Sequence, residues 1–206
     1  DDALDEAAVA GGAQDQVDLV VTVKERNTGQ LQFGVGYSQT DRFTVSASVA
    51  QANIFGTGNQ LSFAINSGSI NKTYAVSYLN PYWTVDGIAR GFDIYRREVD
   101  SSQLVIGTYQ SNSTGAGVRF SVPVTEYDNI NFGLGWERTT LVLDASSPAR
   151  YTDFVDIYGN TNSTVRGSIG FARDTRDSLQ FPTKGMLQEA GLEIGLPGGD
   201  LRYFRL

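Results

Sequence analysis

Neither cysteine nor histidine occurs anywhere in the 206 residues, and methionine occurs once. Without them no Ser-His-Asp or Cys-His nucleophile can be assembled, no zinc site of the usual donor set is available, and no disulfide can staple the fold. No enzymatic activity and no cofactor or metal are expected. Long apolar runs are missing as well, since nothing approaches the ~18 residues that a transmembrane helix requires. Positive charge is scarce, with 16 Lys and Arg against 23 Asp and Glu for a net charge of -7, which disfavours a nucleic-acid partner whose phosphates it would repel. The opening DDALDEAAVA has no basic segment leading into an apolar one, so it is not a secretory signal, and an exported protein of this sequence is expected to be a mature chain or an excised piece.

What the sequence does have is glycine, 23 residues of it, together with 10 Tyr and 11 Phe, and a period of two. In LQFGVGYSQTDRFTVSASVAQ, Leu31, Phe33, Val35 and Tyr37 alternate with Gln32, Gly34, Gly36 and Ser38. After a short polar break, Phe43, Val45, Ala47 and Val49 alternate with Thr44, Ser46 and Ser48, which reads as a hairpin. The pattern recurs around Phe63, Val76, Phe92, Phe120, Leu134, Ile169 and Leu192, giving about nine strands of about ten residues, with LRYFRL opening another. Arg119 and Glu137 fall on the Gly/Ser side, which is therefore the wet one. In a soluble sandwich the apolar side would face a second sheet; in an outer-membrane barrel it would face lipid.

The connections weigh on that choice. NIFGTGNQ, NPYWTVDG, PVTEYDN and RDSLQFPTKG read as compact, whereas REVDSSQLVIGTYQSNST and LVLDASSPARYTDFVDIYGNTNST read as long and polar. Such segregation predicts an all-β, antiparallel transmembrane barrel with its short turns in the periplasm. Phe55, Tyr82, Trp83, Tyr127 and Phe181 fall near strand ends on the compact side, where an interfacial girdle would sit; the alternative for each is plain turn packing. Residues 1–26 break the pattern. Val17, Leu19, Val21 and Val23 form one strand, about residues 16–25, stopping at KER, and this is expected to end a preceding soluble domain, with the acidic DDALDEAA a disordered lead-in.

Four segments in register, VDLVVTVKERNTGQLQFGVGYSQ, QANIFGTGNQLSF, LNPYWTVDG and DTRDSLQFPTKG, resemble the bacterial surface antigen family of POTRA-barrel insertases, to which the central subunit of the β-barrel assembly machinery belongs. The resemblance runs from about Val17 to the C-terminus. It implies that residues 1–26 close the last periplasmic POTRA domain and that 27–206 form the N-terminal nine to ten strands of an outer-membrane barrel of about sixteen. It implies a function in folding and inserting outer-membrane proteins. The partners it implies are outer-membrane lipid, nascent β-barrel proteins and, through upstream POTRA domains, accessory lipoproteins, with periplasmic chaperones as further candidates. Related POTRA-barrel secretion pores of the two-partner type and translocation and assembly modules share the architecture and are the alternative; a passive porin or a soluble β binding domain stands behind them. The family's Val-Arg-Gly-Phe/Tyr motif of the sixth extracellular loop is not found up to Leu206.

Two residue sets remain as site candidates. Asp174 and Asp177 in DTRDS could pair as carboxylates, but each has an arginine beside it, which predicts a salt-bridged turn at the periplasmic rim; FGTG and PGGD are turns without the surroundings of a phosphate loop. The first barrel strand, Leu31 to Ser38, must pair with the last to close the barrel, and Gly34 and Gly36 leave it with little to stiffen that pairing. A weakly closed strand is a template for another chain's strand. The competing reading is that the glycines only relieve crowding in the lumen. The resemblance implies that this seam receives the terminal strand of an incoming barrel protein.

Overall fold

The computed structural model describes residue 22 and residues 28–39, 41–101 and 109–206. The strand expected within 1–26 and the domain boundary after it lie, Thr22 apart, outside the described residues.

The rest is one antiparallel sheet in which each strand pairs with the next in sequence. Its strands are β1 (Gly29–Ser38), β2 (Arg42–Gln51), β3 (Gln60–Ser67), β4 (Asn71–Asn80), β5 (Ala89–Asp100), β6 (Tyr109–Pro123), β7 (Asp128–Leu143), β8 (Thr161–Asp174), β9 (Leu187–Gly195) and the short β10 (Phe204–Arg205). Residues opposite each other in a ladder share a face, so the register assigns faces directly. Val35 opposes Val45, Val49 opposes Phe63, Phe63 opposes Val76, Phe92 opposes Val118, Val118 opposes Leu134, and Phe132 opposes Ile169. One face therefore carries Phe33, Val45, Phe63, Val76, Phe120, Leu134 and Ile169 together, as the alternation predicts.

Among the described residues no second layer covers that face. Among the described residues Ile70 is the one buried hydrophobic side chain, whereas Leu31 and Phe33 are 77% and 72% exposed and Leu134 is 52% exposed. A water-soluble sandwich would put these side chains between its sheets; here they form a bare apolar wall. On β7 four successive outward positions, Ile130, Phe132, Leu134 and Trp136, are apolar and the next is Arg138. Six residue steps span ~20 Å, the scale of a barrel's lipid-facing band. The opposite face is hollow: a cavity of about 640 Å³ runs across β4 to β10 over Gly91, Arg119, Gly133, Ser168, Gly191 and Arg205. Small side chains on this inner face and bulky ones outside are what bending a sheet into part of a barrel requires.

The connections correct the expected asymmetry. The compact segments do gather at one end, with residues 52–59, 81–88, 124–127 and 175–186. At the other end, however, residues 39–41 and 68–70 are the shortest links of all. The stretches that read as long loops are partly strand, because β5, β6 and β7 run to 12, 15 and 16 residues and carry polar side chains beyond the apolar band. Within 144–160 a helix, α1 (Ala149–Tyr158), replaces the expected irregular loop. Its signals are Pro148 at the start, Tyr151, Phe154 and Tyr158 at helical spacing, and Gly159 at φ +80, where a side chain would be strained. Tyr151 stacks on Tyr109 at 4.5 Å between ring centroids, docking α1 onto the start of β6.

Candidate strand-pairing edge and lumenal wall

β1 occupies one side of the sheet and pairs along its whole length with β2, from Gly29 opposite Gln51 to Ser38 opposite Arg42. Among the described residues no strand pairs with its other side, so from Gln30 to Ser38 the N–H and C=O groups that point away from β2 lie along an unpaired edge of ~30 Å. Soluble proteins blunt such an edge with lysine, proline or an inward charge. GQLQFGVGYS has none of these. Leu31, Phe33, Val35 and Tyr37 stand on the apolar wall, and Gln32, Gly34, Gly36 and Ser38 face the hollow side. The opposite edge, β10, offers two residues, of which Arg205 is ion-paired to Glu193 at 3.1 Å.

The glycines of β1 have a local cause. A β-carbon at Gly34 would lie 2.6 Å from Ser46 Oγ and one at Gly36 2.8 Å from Thr44 Oγ1. Both β2 hydroxyls lean over β1 across the inner face, so a larger residue at either position displaces a serine or threonine side chain. The ends of β1 are tied down: Gln51 Nε2 donates to Thr28 Oγ1 at 2.8 Å, and Asp41 N donates to Ser38 Oγ at 2.8 Å. Asp41 also joins the neighbouring turn, its Oδ1 accepting from Ile70 N at 2.7 Å while its carbonyl accepts from Ser69 Oγ at 2.8 Å.

The inner wall holds a polar brace that sequence reasoning did not assemble. Tyr95 on β5 reaches across Gly115 on β6 and donates from its hydroxyl to Glu137 Oε2 on β7. Arg166 on β8 donates to the Tyr95 hydroxyl at 3.1 Å and pairs with Glu137 at 3.4 Å. Next to it Arg119 pairs with Asp93 at 3.1 Å, and Tyr203 donates to Glu193 at 2.8 Å. Both arginines in this group, Arg119 and Arg166, face a carboxylate or a phenol, and the linked side chains brace the wall across β5 to β8.

Phe55, Tyr82, Trp83, Tyr127 and Phe181 lie in the four connections of one end, and all five are exposed. Phe55 is 95% exposed and sits at φ +51, a left-handed conformation unusual for an aromatic, in a turn closed by Gly58 N on Asn53 Oδ1 at 2.6 Å and Thr57 Oγ1 on Ile54 O at 2.7 Å. The DTRDS turn is built differently from its expected form. Asp174 takes a bidentate pair from Arg176 at 2.9 and 2.8 Å, but Asp177 has no arginine partner among the described residues. It accepts instead from Thr183 N at 2.8 Å, Thr183 Oγ1 at 2.5 Å and Lys184 N at 3.1 Å, and the Thr183 hydroxyl above all holds its carboxyl down at about 2. Arg173 turns to Asp128 at 3.8 Å across the β7–β8 ladder.

Comparison with known proteins gives a consistent result. The profile of the Omp85 superfamily domain matches residues 53–206. The outer membrane protein assembly factor BamA of Neisseria meningitidis serogroup B is 36% identical over 97% of the chain and 26% of its own length. The BamA of Nitratidesulfovibrio vulgaris is 34% identical over 93% of the chain and 23% of its own length. The crystal structure of BamA from Haemophilus ducreyi lacking POTRA domains 1–3 superposes with a TM-score of 0.72 and 25% identity, covering 86% of this chain and 36% of that one. The chain thus spans about a quarter of the length of the curated relatives it matches.

Proposed function

The chain belongs to the Omp85 superfamily, and from that premise we propose that it supplies the N-terminal wall and the working edge of an outer-membrane β-barrel assembly insertase. The observation that carries the proposal is β1 itself: an uncharged, proline-free strand that β2 pairs on one side and that, from Gln30 to Ser38, no described strand pairs on the other. Its backbone offers an incoming strand the same ladder that β2 already uses, and backbone pairing accepts many sequences. Each hydrogen bond formed with a nascent barrel strand satisfies groups that would otherwise lie unpaired in lipid, so folding energy alone drives insertion. No bond is made or broken, and the protein works as an assembly factor rather than an enzyme. In this reading the Phe55 end faces the periplasm, residues 1–26 belong to the last POTRA domain, and the five exposed aromatics rest at the lipid interface. Nascent barrel proteins are the substrates; accessory lipoproteins, and periplasmic chaperones delivering the substrates, engage upstream domains.

The test is in-cell crosslinking in the full-length protein. This chain has no cysteine, so one placed at Gln32 or Ser38 reports on its surroundings without a competing thiol in these residues. Adducts with the C-terminal strand of a nascent barrel are expected at both positions. Val35→Pro, which deletes a backbone donor and restricts Gly34, should abolish substrate assembly while the barrel itself still inserts. Absence of adducts, together with normal assembly by the proline variant, would make β1 a purely structural edge.

A further inference from the structure

Among the outward-facing cations of the described residues, Arg90 stands against aromatic rings. In the β4–β5 and β5–β6 ladders Arg90 lies opposite Asn80 and Phe120, which puts it on the apolar wall in the same row as Phe132 and Ile169. None of the salt bridges among the described residues includes it. Its Nε is buried and has no hydrogen-bond partner. What surrounds the guanidinium is aromatic: its centre lies 4.7 Å from the Trp83 ring and 5.2 Å from the Phe92 ring, and Trp83 in turn packs on Phe120 at 5.7 Å. Trp83 is delivered by the 81–88 connection, which is closed on itself by Trp83 N to Ile88 O at 2.9 Å, Ile88 N to Thr84 Oγ1 at 3.2 Å and Gly87 N to Thr84 O at 3.1 Å.

An arginine in a lipid-facing wall is costly unless a counter-charge meets it. Cation–π contact holds the plane of the guanidinium but satisfies no N–H. Arg90 is the second residue of β5, at the margin of the apolar band, where a membrane presents phosphodiesters. We propose that Trp83, Arg90, Phe92 and Phe120 form a binding site for one glycerophospholipid. The guanidinium takes the phosphodiester through its terminal N–H groups, the Trp83 indole lies beside the headgroup, and an acyl chain runs along Phe92 and Ile94. The charge is complementary, the fork geometry of arginine suits a phosphate, and the apolar track begins at the cation. The inference rests on the membrane-facing wall and not on strand exchange at β1, so either can fail alone.

The experiment uses the full-length protein, stripped of lipid in detergent and titrated with dioleoylphosphatidylglycerol under native mass spectrometry, beside the variants Arg90→Gln, Arg90→Lys and Trp83→Leu. Heat-modifiable migration on gels checks that each barrel is folded. Wild type is expected to hold one lipid that Arg90→Gln binds about tenfold more weakly or worse, the worth of one charged hydrogen bond or more. Arg90→Lys, which keeps charge but loses the fork and the stacking, should fall between them, and Trp83→Leu should weaken binding as well. Dioleoylglycerol, which lacks the phosphate, should not occupy the site, and millimolar inorganic phosphate should not displace the phospholipid. Equal lipid binding by wild type and Arg90→Gln overturns the proposal, as does equal occupancy by dioleoylglycerol. Displacement by inorganic phosphate alone would also overturn it, by making this an anion site without lipid. Should Arg90→Gln fail to fold, the lysine and leucine variants decide: unchanged affinity in both overturns it, and weakened affinity in both supports it.

Discussion

Gly115 lies directly beneath the ring of Tyr95: a β-carbon at this glycine would come 2.6 Å from Tyr95 Cζ and 2.7 Å from its hydroxyl oxygen. The bare backbone of β6 is the floor over which Tyr95 crosses from β5 to Glu137 on β7. Gly115→Val should therefore lift Tyr95 off Glu137 and Arg166 and destabilise the barrel by about 1–3 kcal/mol, the usual cost of overpacking. Tyr95→Ala in the same background should recover most of that loss, since the colliding ring is gone. A double-mutant cycle from urea titrations of the full-length protein in detergent reads the coupling.

How much of this was legible beforehand divides along physical lines. Period two is set by the pleat, so Phe33, Val45, Phe63 and Leu134 could be assigned to one face from spacing alone, and no tertiary contact could reverse them. The brace of Tyr95, Glu137 and Arg166 was not legible, because it depends on which residues of three different strands fall in one row, and register is set by turn geometry. Arg90 escaped notice for a related reason: a charged residue at the start of a strand looks like a rim residue until the ladder places it beside Phe120. The three-residue turns at 39–41 and 68–70 were hidden by judging connection length from polarity, since the polar ends of β5, β6 and β7 are strand.

The 175–186 connection should be unusually resistant to acid. Asp177 has a folded pKa of about 2, below its ordinary value of 3.8, because Thr183 and Lys184 donate to its charged form. A depressed carboxyl adds stability that is complete above 3.8 and is lost as pH falls from there towards 2. Pepsin cleavage near Leu179 and Phe181, both exposed, reports the opening of this turn within that window. Wild type should resist at pH 4 and yield at pH 2. Asp177→Asn, with one acceptor oxygen lost and no charge to titrate, should be cut at comparable rates at both after correction for the enzyme's own pH profile.

Asp41 couples two hairpins through the Ile70 and Ser69 contacts. Ile70 is 8% exposed, so its N–H would be left without water when the carboxylate is removed. Asp41→Ala should cost about 1–3 kcal/mol, the penalty for an unsatisfied buried donor, while Asp41→Asn retains an acceptor and should cost less. Hydrogen exchange should localise the loss: amides of residues 68–70 lose protection, and those of the 124–127 turn at the far end of the sheet do not.

The two readings of the β1 glycines make opposite predictions about Gly34 and Ser46. If Gly34 is small only because Ser46 Oγ would lie 2.6 Å from its β-carbon, then Gly34→Ala forces Ser46 to another rotamer and gives up its weak donation to Gly34 O at 3.5 Å, a loss of about 1 kcal/mol or less. Ser46→Gly should then restore the variant completely, in stability and in assembly of other barrels alike. If glycine also serves strand exchange, by keeping the β1 backbone loose enough to leave one partner and accept another, Gly34→Ala stiffens β1 whatever stands opposite. In that case Ser46→Gly rescues the folding of the barrel but not the rate at which it assembles substrates, and Gly36→Ala with Thr44→Gly should behave in the same way. The measurement is the appearance of a folded, heat-modifiable substrate barrel in liposomes containing the full-length protein and its variants. The proposed use of β1 as a working edge predicts the second pattern, and complete rescue of both barrel stability and assembly rate by the β2 substitutions would assign the glycines to crowding alone.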